Sequence, residues 1–413
     1  MAGFVWCNSD NFRKEVGPGI LILEPYVQLW RNSQMKKSLI ALAALAAVSA
    51  ASAQTSSLTI DGYFDRGYVQ TNNTNNLKDA KAVSSNAGTT TVGIKGSEDL
   101  GGGLKAGFSI NTDWAEAAGQ TQDGTPPTSA QSGFANSQSF LDLASAQYGT
   151  LRLGNPNSEI LTAVTSVASP AFSTGVGSAY SSSFSIHNGY GNGVTGSNNI
   201  FTASAISSNA TAGARQIRQA NTIKYISPAF SGFNVVFATV RKNDTAGTAD
   251  IAGVTEFAVN YVNGPLAAVY AQTKVETGAN ASTYANGVLA NNASSTMSIL
   301  GASYQLLPVL KVHAGLGRST SSATTIAYDT SSYQVGATYN VTPVITMMAQ
   351  YVKVDDKAAT NNDRTLTGFG ADYNFSKTTR AYVRYDSINY NSSGTAAAGS
   401  QVKRTAVGVS KAF

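Results

Sequence analysis

The sequence predicts an all-β fold, a transmembrane antiparallel β-barrel of about sixteen strands. Three observations carry it. Alternating apolar and polar residues recur to the end of the chain. The connections between alternating segments switch strictly between short and long. The last strand, Val407-Gly408-Val409-Ser410-Lys411-Ala412-Phe413, stops on an aromatic residue. A final exposed Phe gains a soluble protein little. In a membrane barrel the last strand must close the wall, and an aromatic at its end sits in the interfacial girdle.

Composition agrees. Charged residues make up 12% of the 413, about half the share of a soluble domain. Gly (39), Tyr (19) and Phe (16) are frequent, whereas Cys (1) and His (2) are scarce. The net charge of +5 is modest, and no Lys/Arg cluster interleaves with aromatics. That excludes a nucleic-acid footprint.

The first 53 residues stand apart. Met35-Lys36-Lys37 is a positive start, Leu39 to Val48 an apolar run, and Ala51-Ser52-Ala53 a small-residue cleavage site. Together they read as a signal peptide over 35–53, with Gln54 opening the mature chain. Residues 1–34 precede it and are expected to be an upstream extension that is never made. The domain 54–413 has no Cys, and its 23 Lys+Arg against 20 Asp+Glu leave a net +3. An exported chain without thiols has no disulfide and no thiolate metal site. No run of 18 apolar residues occurs in it, so any membrane crossing is made by strands.

Sixteen alternating segments follow in order, at about 58–70, 89–97, 102–114, 138–146, 148–155, 217–229, 231–243, 252–263, 265–276, 296–306, 308–319, 330–341, 343–355, 364–376, 378–389 and 401–413. Seven tight turns alternate with eight long loops. Pro228, Pro265, Pro308 and Pro343 stand in the tight turns, where no ladder hydrogen bond is lost. Faces separate cleanly: Phe369, Ala371, Tyr373 and Phe375 oppose Gly370, Asp372 and Asn374. Short turns on one rim and long loops on the other, with an even strand count, describe an outer-membrane barrel. About sixteen strands leave a water-filled lumen, and inward positions read as mostly small or polar. The connection 156–216 is far longer than its neighbours, and its residues 156–200 are expected to fold into the lumen and set the exclusion size.

Two other functional classes lack support. A barrel hydrolase needs a wall Ser with a His base, and His313 is the only wall histidine. No His/Cys/carboxylate cluster has metal spacing, and Gly101-Gly102-Gly103 is a turn without the helix of a phosphate cradle, so no metal and no cofactor is expected.

Several segments resemble the Gram-negative trimeric porins of the general-diffusion type. Gly93-Ile94-Lys95-Gly96-Ser97-Glu98-Asp99-Leu100-Gly101-Gly102-Gly103-Leu104-Lys105-Ala106 is similar to their second-turn signature. Arg218 to Pro228 resembles their sixth strand, Gly370 to Thr379 their penultimate hairpin, and Phe413 their end. The resemblance spans 54–413. It implies a homotrimer of sixteen-stranded barrels in the outer membrane, set in lipid and lipopolysaccharide, with the third loop as the constriction. The implied function is passive diffusion of small hydrophilic solutes and ions with no enzymatic activity; a substrate-specific sugar or anion channel is the alternative. The family often carries arginines where this chain has Thr91 and Asn155, so the anion preference it implies is expected to be weak.

A porin selects by a narrow zone with basic residues on one wall and acidic residues opposite. Strand parity points Arg152, Arg218, Lys224 and Arg384 inward as the basic set. It points Asp65, Asp113 and Asp142 inward as the acidic set, joined by Glu159 at the start of the long loop. Phe413 is the predicted barrel closure.

Overall fold

The structure is a computed structural model. It describes residues 56–73, 78–84, 86–113, 134–172, 174–179, 218, 220–242, 250–251, 253–276, 282–284, 287–289, 294–321, 329–357, 362–392 and 401–413. The predicted upstream extension, the signal peptide and the far half of the long loop lie outside these residues.

The strands are β1 (Ser56–Asn73), β2 (Lys78–Ser84), β3 (Thr91–Gly101), β4 (Leu104–Asp113), β5 (Ser139–Ser145), β6 (Gly149–Asn155), β7 (Thr222–Ile226), β8 (Phe233–Val240), β9 (Asp250–Ile251), β10 (Gly253–Asn263), β11 (Leu266–Glu276), β12 (Ser282–Tyr284), β13 (Gly287–Leu289), β14 (Ser294–Leu307), β15 (Leu310–Ser321), β16 (Asp329–Asn340), β17 (Ile345–Asp356), β18 (Asn362–Asn374), β19 (Thr379–Ser392) and β20 (Gln401–Ala412). A helix, α1 (Glu159–Ala163), runs straight into a π-helical turn, Val164–Ala168.

Each wall strand pairs antiparallel with its sequence neighbour, and β20 pairs with β1 from Tyr63↔Ala412 to Asn73↔Val402. That last ladder closes the barrel and leaves no free edge. Phe413 extends it, exchanging two backbone hydrogen bonds of 3.1 Å with Gly62. β1 is covered on its other side by two pieces, β3 along Ser56–Tyr63 and β2 along Arg66–Asn72. Counted as one interrupted strand, β2 and β3 make the wall sixteen-stranded. The segment 71–88, expected to be a loop, therefore carries half a strand. Short β9, β12 and β13 form a separate small sheet within the long connections, also unforeseen.

The alternation shows directly in solvent exposure. Phe369, Tyr373, Val383, Val407 and Val409 are exposed, whereas their chain neighbours Asp372, Arg384 and Ser410 are buried. Alternate side chains of a strand face opposite sides, so one face of the wall is apolar and open and the other is covered. At the first tight turn Gly101, Gly102 and Gly103 all have positive φ (80°, 61° and 81°), a run that residues with a Cβ adopt only at a cost.

The covered face corrects one expectation. It is not uniformly small or polar. Val236, Val269, Met297, Ile299, Val352 and Leu366 lie on it and are buried. Together with Ile160, Leu161, Ala163, Val164 and Ala168 of the long loop they form one apolar cluster. Apolar inner-wall residues are stable there because a second element shields them from water.

Candidate functional site: the charged lumen face and the long loop

The loop begins with a helix start written in its sequence. Ser158 is the N-cap, its hydroxyl accepting from the Leu161 N–H at 3.1 Å, and Glu159 occupies the first turn. Ile160, Leu161, Val164, Val167 and Ala168 recur at helical spacing. This pattern was legible in the sequence but hidden in a stretch otherwise rich in Ser, Gly and Ala. The helical segment packs across β11, β14 and β15. At the end of the π turn the Ala168 carbonyl lies 2.9 Å from His313 Nδ1. Gly301 and Gly315 make the approach possible: a Cβ on either would lie 2.6 or 2.9 Å from the Ala168 Cβ.

Beyond the turn, one contact after another ties the loop to the same face. Ser169 donates to Gln350 Oε1 at 2.5 Å, and Gln350 Nε2 donates to the Gly177 carbonyl at 2.6 Å. The Gly177 N–H donates to Asp386 Oδ2 at 2.8 Å. Phe172 is buried against the Arg384 guanidinium, 5.9 Å from ring centre to Cζ. The Val176 N–H reaches the Asn86 carbonyl, and Thr174 and Thr89 share a 2.9 Å hydroxyl contact. Residues 158–172 and 174–179 thus run along the covered face from β10 to the break between β2 and β3.

The predicted charged residues divide into two kinds. Arg152 and Asp142 face each other on paired strands as a two-pronged ion pair of 2.7 and 2.8 Å. The guanidinium lies 3.8 Å from the centre of the Phe140 ring. Arg218 Nε donates to Asn157 Oδ1 at 2.9 Å, with Asp113 3.7 Å from its terminal nitrogen. These four side chains keep 20–33% exposure. The others are buried. Lys224 pairs with Glu159 at 2.8 Å, and Arg384 with Asp372 at 2.6 Å. Asp65 accepts the Ala87 and Gly88 N–H groups at 2.6 and 3.0 Å and the Tyr382 hydroxyl. It fixes the break between β2 and β3.

The expected segregation of bases and acids onto opposing walls is therefore not what the structure shows for these residues. Asp142, Asp113 and Glu159 each sit beside one of the predicted bases. Cross-strand neighbours are close enough to pair directly, and pairing lowers the cost of removing both from water.

Further charged residues of the site were missed. Arg380 NH1 lies 3.0 Å from Asp372, NH2 donates to the Tyr63 hydroxyl at 3.0 Å, and Nε donates to Ser410 Oγ at 3.1 Å. Asp372 thus serves both Arg380 and Arg384. Arg404 Nε donates to Asp386 Oδ1 at 3.0 Å. The same parity that selected Arg384 also turns Arg380, Asp372, Asp386 and Arg404 inward, so the signal was present.

Comparison with known proteins agrees with this architecture. The sequence pattern that defines the Gram-negative porins matches residues 41–393. The chain is 33% identical over 361 residues to outer membrane porin protein 32 of Delftia acidovorans, spanning 84% of this chain and 88% of that one. It is 28% identical over 374 residues to the major outer membrane protein P.IB of Neisseria gonorrhoeae, spanning 84% and 92%. Among solved structures, an anion-selective porin from Comamonas acidovorans superposes with a TM-score of 0.67 at 25% identity, covering 87% of this chain and all of that one. A trimer form of OmpT from Vibrio cholerae shares the fold, with a TM-score of 0.55 at 13% identity. The chain belongs to the Gram-negative porins, outer-membrane β-barrels that form water-filled channels for passive diffusion.

Proposed function

We propose that this porin passes small hydrophilic solutes and ions without chemical change, with a weak preference for anions, and that residues 156–179 of the long loop set the width of the passage. The observation that carries the preference is the group Arg380–Asp372–Arg384. Two guanidiniums share one carboxylate, and Arg380 keeps 33% exposure; the buried Asp65 also faces Arg380, so what this part of the wall presents to the passage is the Arg380 cation in front of two buried acids. Arg152, Arg218, Asp113 and Asp142 form the partly exposed rest of the charged lining; Lys224, Glu159, Arg384 and Asp65 act behind it. The anion selectivity of the Comamonas porin supports the same direction. A homotrimer in contact with membrane lipid and lipopolysaccharide is the assembly proposed, by analogy with the trimer form of OmpT. The test is the reversal potential across a planar bilayer under a KCl gradient. A modest anion-selective potential is expected, and a strongly cation-selective channel overturns the reading.

A further inference from the structure

At the start of the long loop a single ammonium meets two carboxylates. Lys224 Nζ lies 2.8 Å from Glu159 Oε1 and 3.9 Å from Glu256 Oε2. It also donates to the Asn157 carbonyl at 2.6 Å. Glu256, on β10, accepts from the Glu159 backbone N–H at 3.4 Å and from the Thr273 hydroxyl at 3.2 Å. The three charged side chains are 2%, 9% and 7% exposed. Two ionised carboxylates against one ammonium leave a net charge of −1 out of water. A buried excess charge is costly, and binding one proton cancels it.

Among the described residues, the surroundings supply no other remedy. β7 contributes Lys224 and Thr222, β8 contributes Ala238, and β11 contributes Thr273. Arg218 lines the small cavity beside Glu256, but its guanidinium leans on Asn157 and Asp113. Glu256 is fixed by the ladders of β10 with β8 and β11. Glu159 rides on the loop. If the two carboxylates repel, the loop is the part that moves.

We propose that Glu256 is a positioning residue of the channel: it carries one proton beside the Lys224–Glu159 ion pair, and that proton holds the start of the long loop against the wall. The consequence for permeation rests on the loop setting the width of the passage. Loss of the proton in alkaline solution makes the two acids repel and loosens Asn157–Ala163.

The experiment compares the wild type with Glu256→Gln, whose amide oxygen can still accept from Glu159 N–H while its NH2 donates to the Thr273 hydroxyl, and which carries no charge. Glu159→Gln is the second variant, in case the first folds poorly. Two readouts are taken from acidic to alkaline buffer: single-channel conductance with its open-state noise, and the heat-unfolding midpoint of the purified barrel. In the wild type, noise and conductance should rise and the midpoint fall on the alkaline side. Either Gln variant should lose both shifts. Parallel pH profiles in wild type and variants overturn the proposal. A midpoint shift that the variants abolish, with conductance flat in all proteins, upholds the buried proton on Glu256 and removes the loop from the control of pore width.

Discussion

Asp372 shows how much one carboxylate carries when two guanidiniums depend on it. Replacing it with Asn leaves the buried Arg384 without its ion-pair partner and the half-buried Arg380 with only Asp65 as a counter-charge. Breaking a buried ion pair from one side costs about 3–5 kcal/mol, so Asp372→Asn should lower the heat-unfolding midpoint. It should also raise the anion preference, because the lumen gains net positive charge. An unchanged reversal potential in a folded variant would remove Arg380 and Arg384 from the ion path. Gly301 makes a second point at this scale. Gly301→Ala places a methyl 2.6 Å from the Ala168 Cβ, and overpacking of this kind costs about 1–3 kcal/mol. The barrel should still form, but Ala168 must leave His313, and the changed loop position should show as altered conductance. Parity made the inward direction of Asp372 and Arg384 legible. It did not reveal their partnership, because alternation reports the face of a strand and not its register.

At the scale of elements, the wall was legible and the interior was not. All sixteen predicted segments overlap wall strands, since each must keep one apolar face over its whole length. The boundaries fared worst at β7, which starts at Thr222 rather than 217. The pairing of β2 with β1 went unseen because that half-strand follows a short connection and carries Lys78, Asp79 and Lys81, with no apolar alternation to announce it. The loop's helical stripe was too short to stand out from its polar surroundings. Its contribution can be measured. Replacing residues 159–179 by a short Gly/Ser linker removes the segment that lies along β11, β14 and β15. Single-channel conductance should rise in a correctly folded variant; an unchanged value would place the constriction elsewhere. The milder Ser158→Ala removes only the helix cap, worth about 1 kcal/mol, and should raise open-channel noise while leaving mean conductance close to that of the parent.

At the scale of the whole molecule, selectivity is a sum over many screened charges. The range 54–413 carries only a net +3, and among the described residues most charges of the covered face are paired with a neighbour. In a wide aqueous passage a unit charge about 4 Å from an ion is worth on the order of 1 kcal/mol, and salt screens it over roughly 8 Å at physiological strength. Paired residues such as Arg152 and Asp142 largely cancel at that range. The partly exposed Arg380 guanidinium, standing in front of the buried Asp372 and Asp65, is cancelled less completely. The anion preference should therefore be weak, with a reversal potential that shrinks towards zero as both salt concentrations rise at a fixed gradient. Arg380→Glu, which turns a partly exposed cation into an anion beside Asp372, should push the channel towards cations. Arg152→Glu should act in the same direction and also unstack the residue from Phe140. A preference that persists undiminished in concentrated salt would instead indicate a dehydrated, close-contact anion site, and would favour a substrate-specific channel over general diffusion.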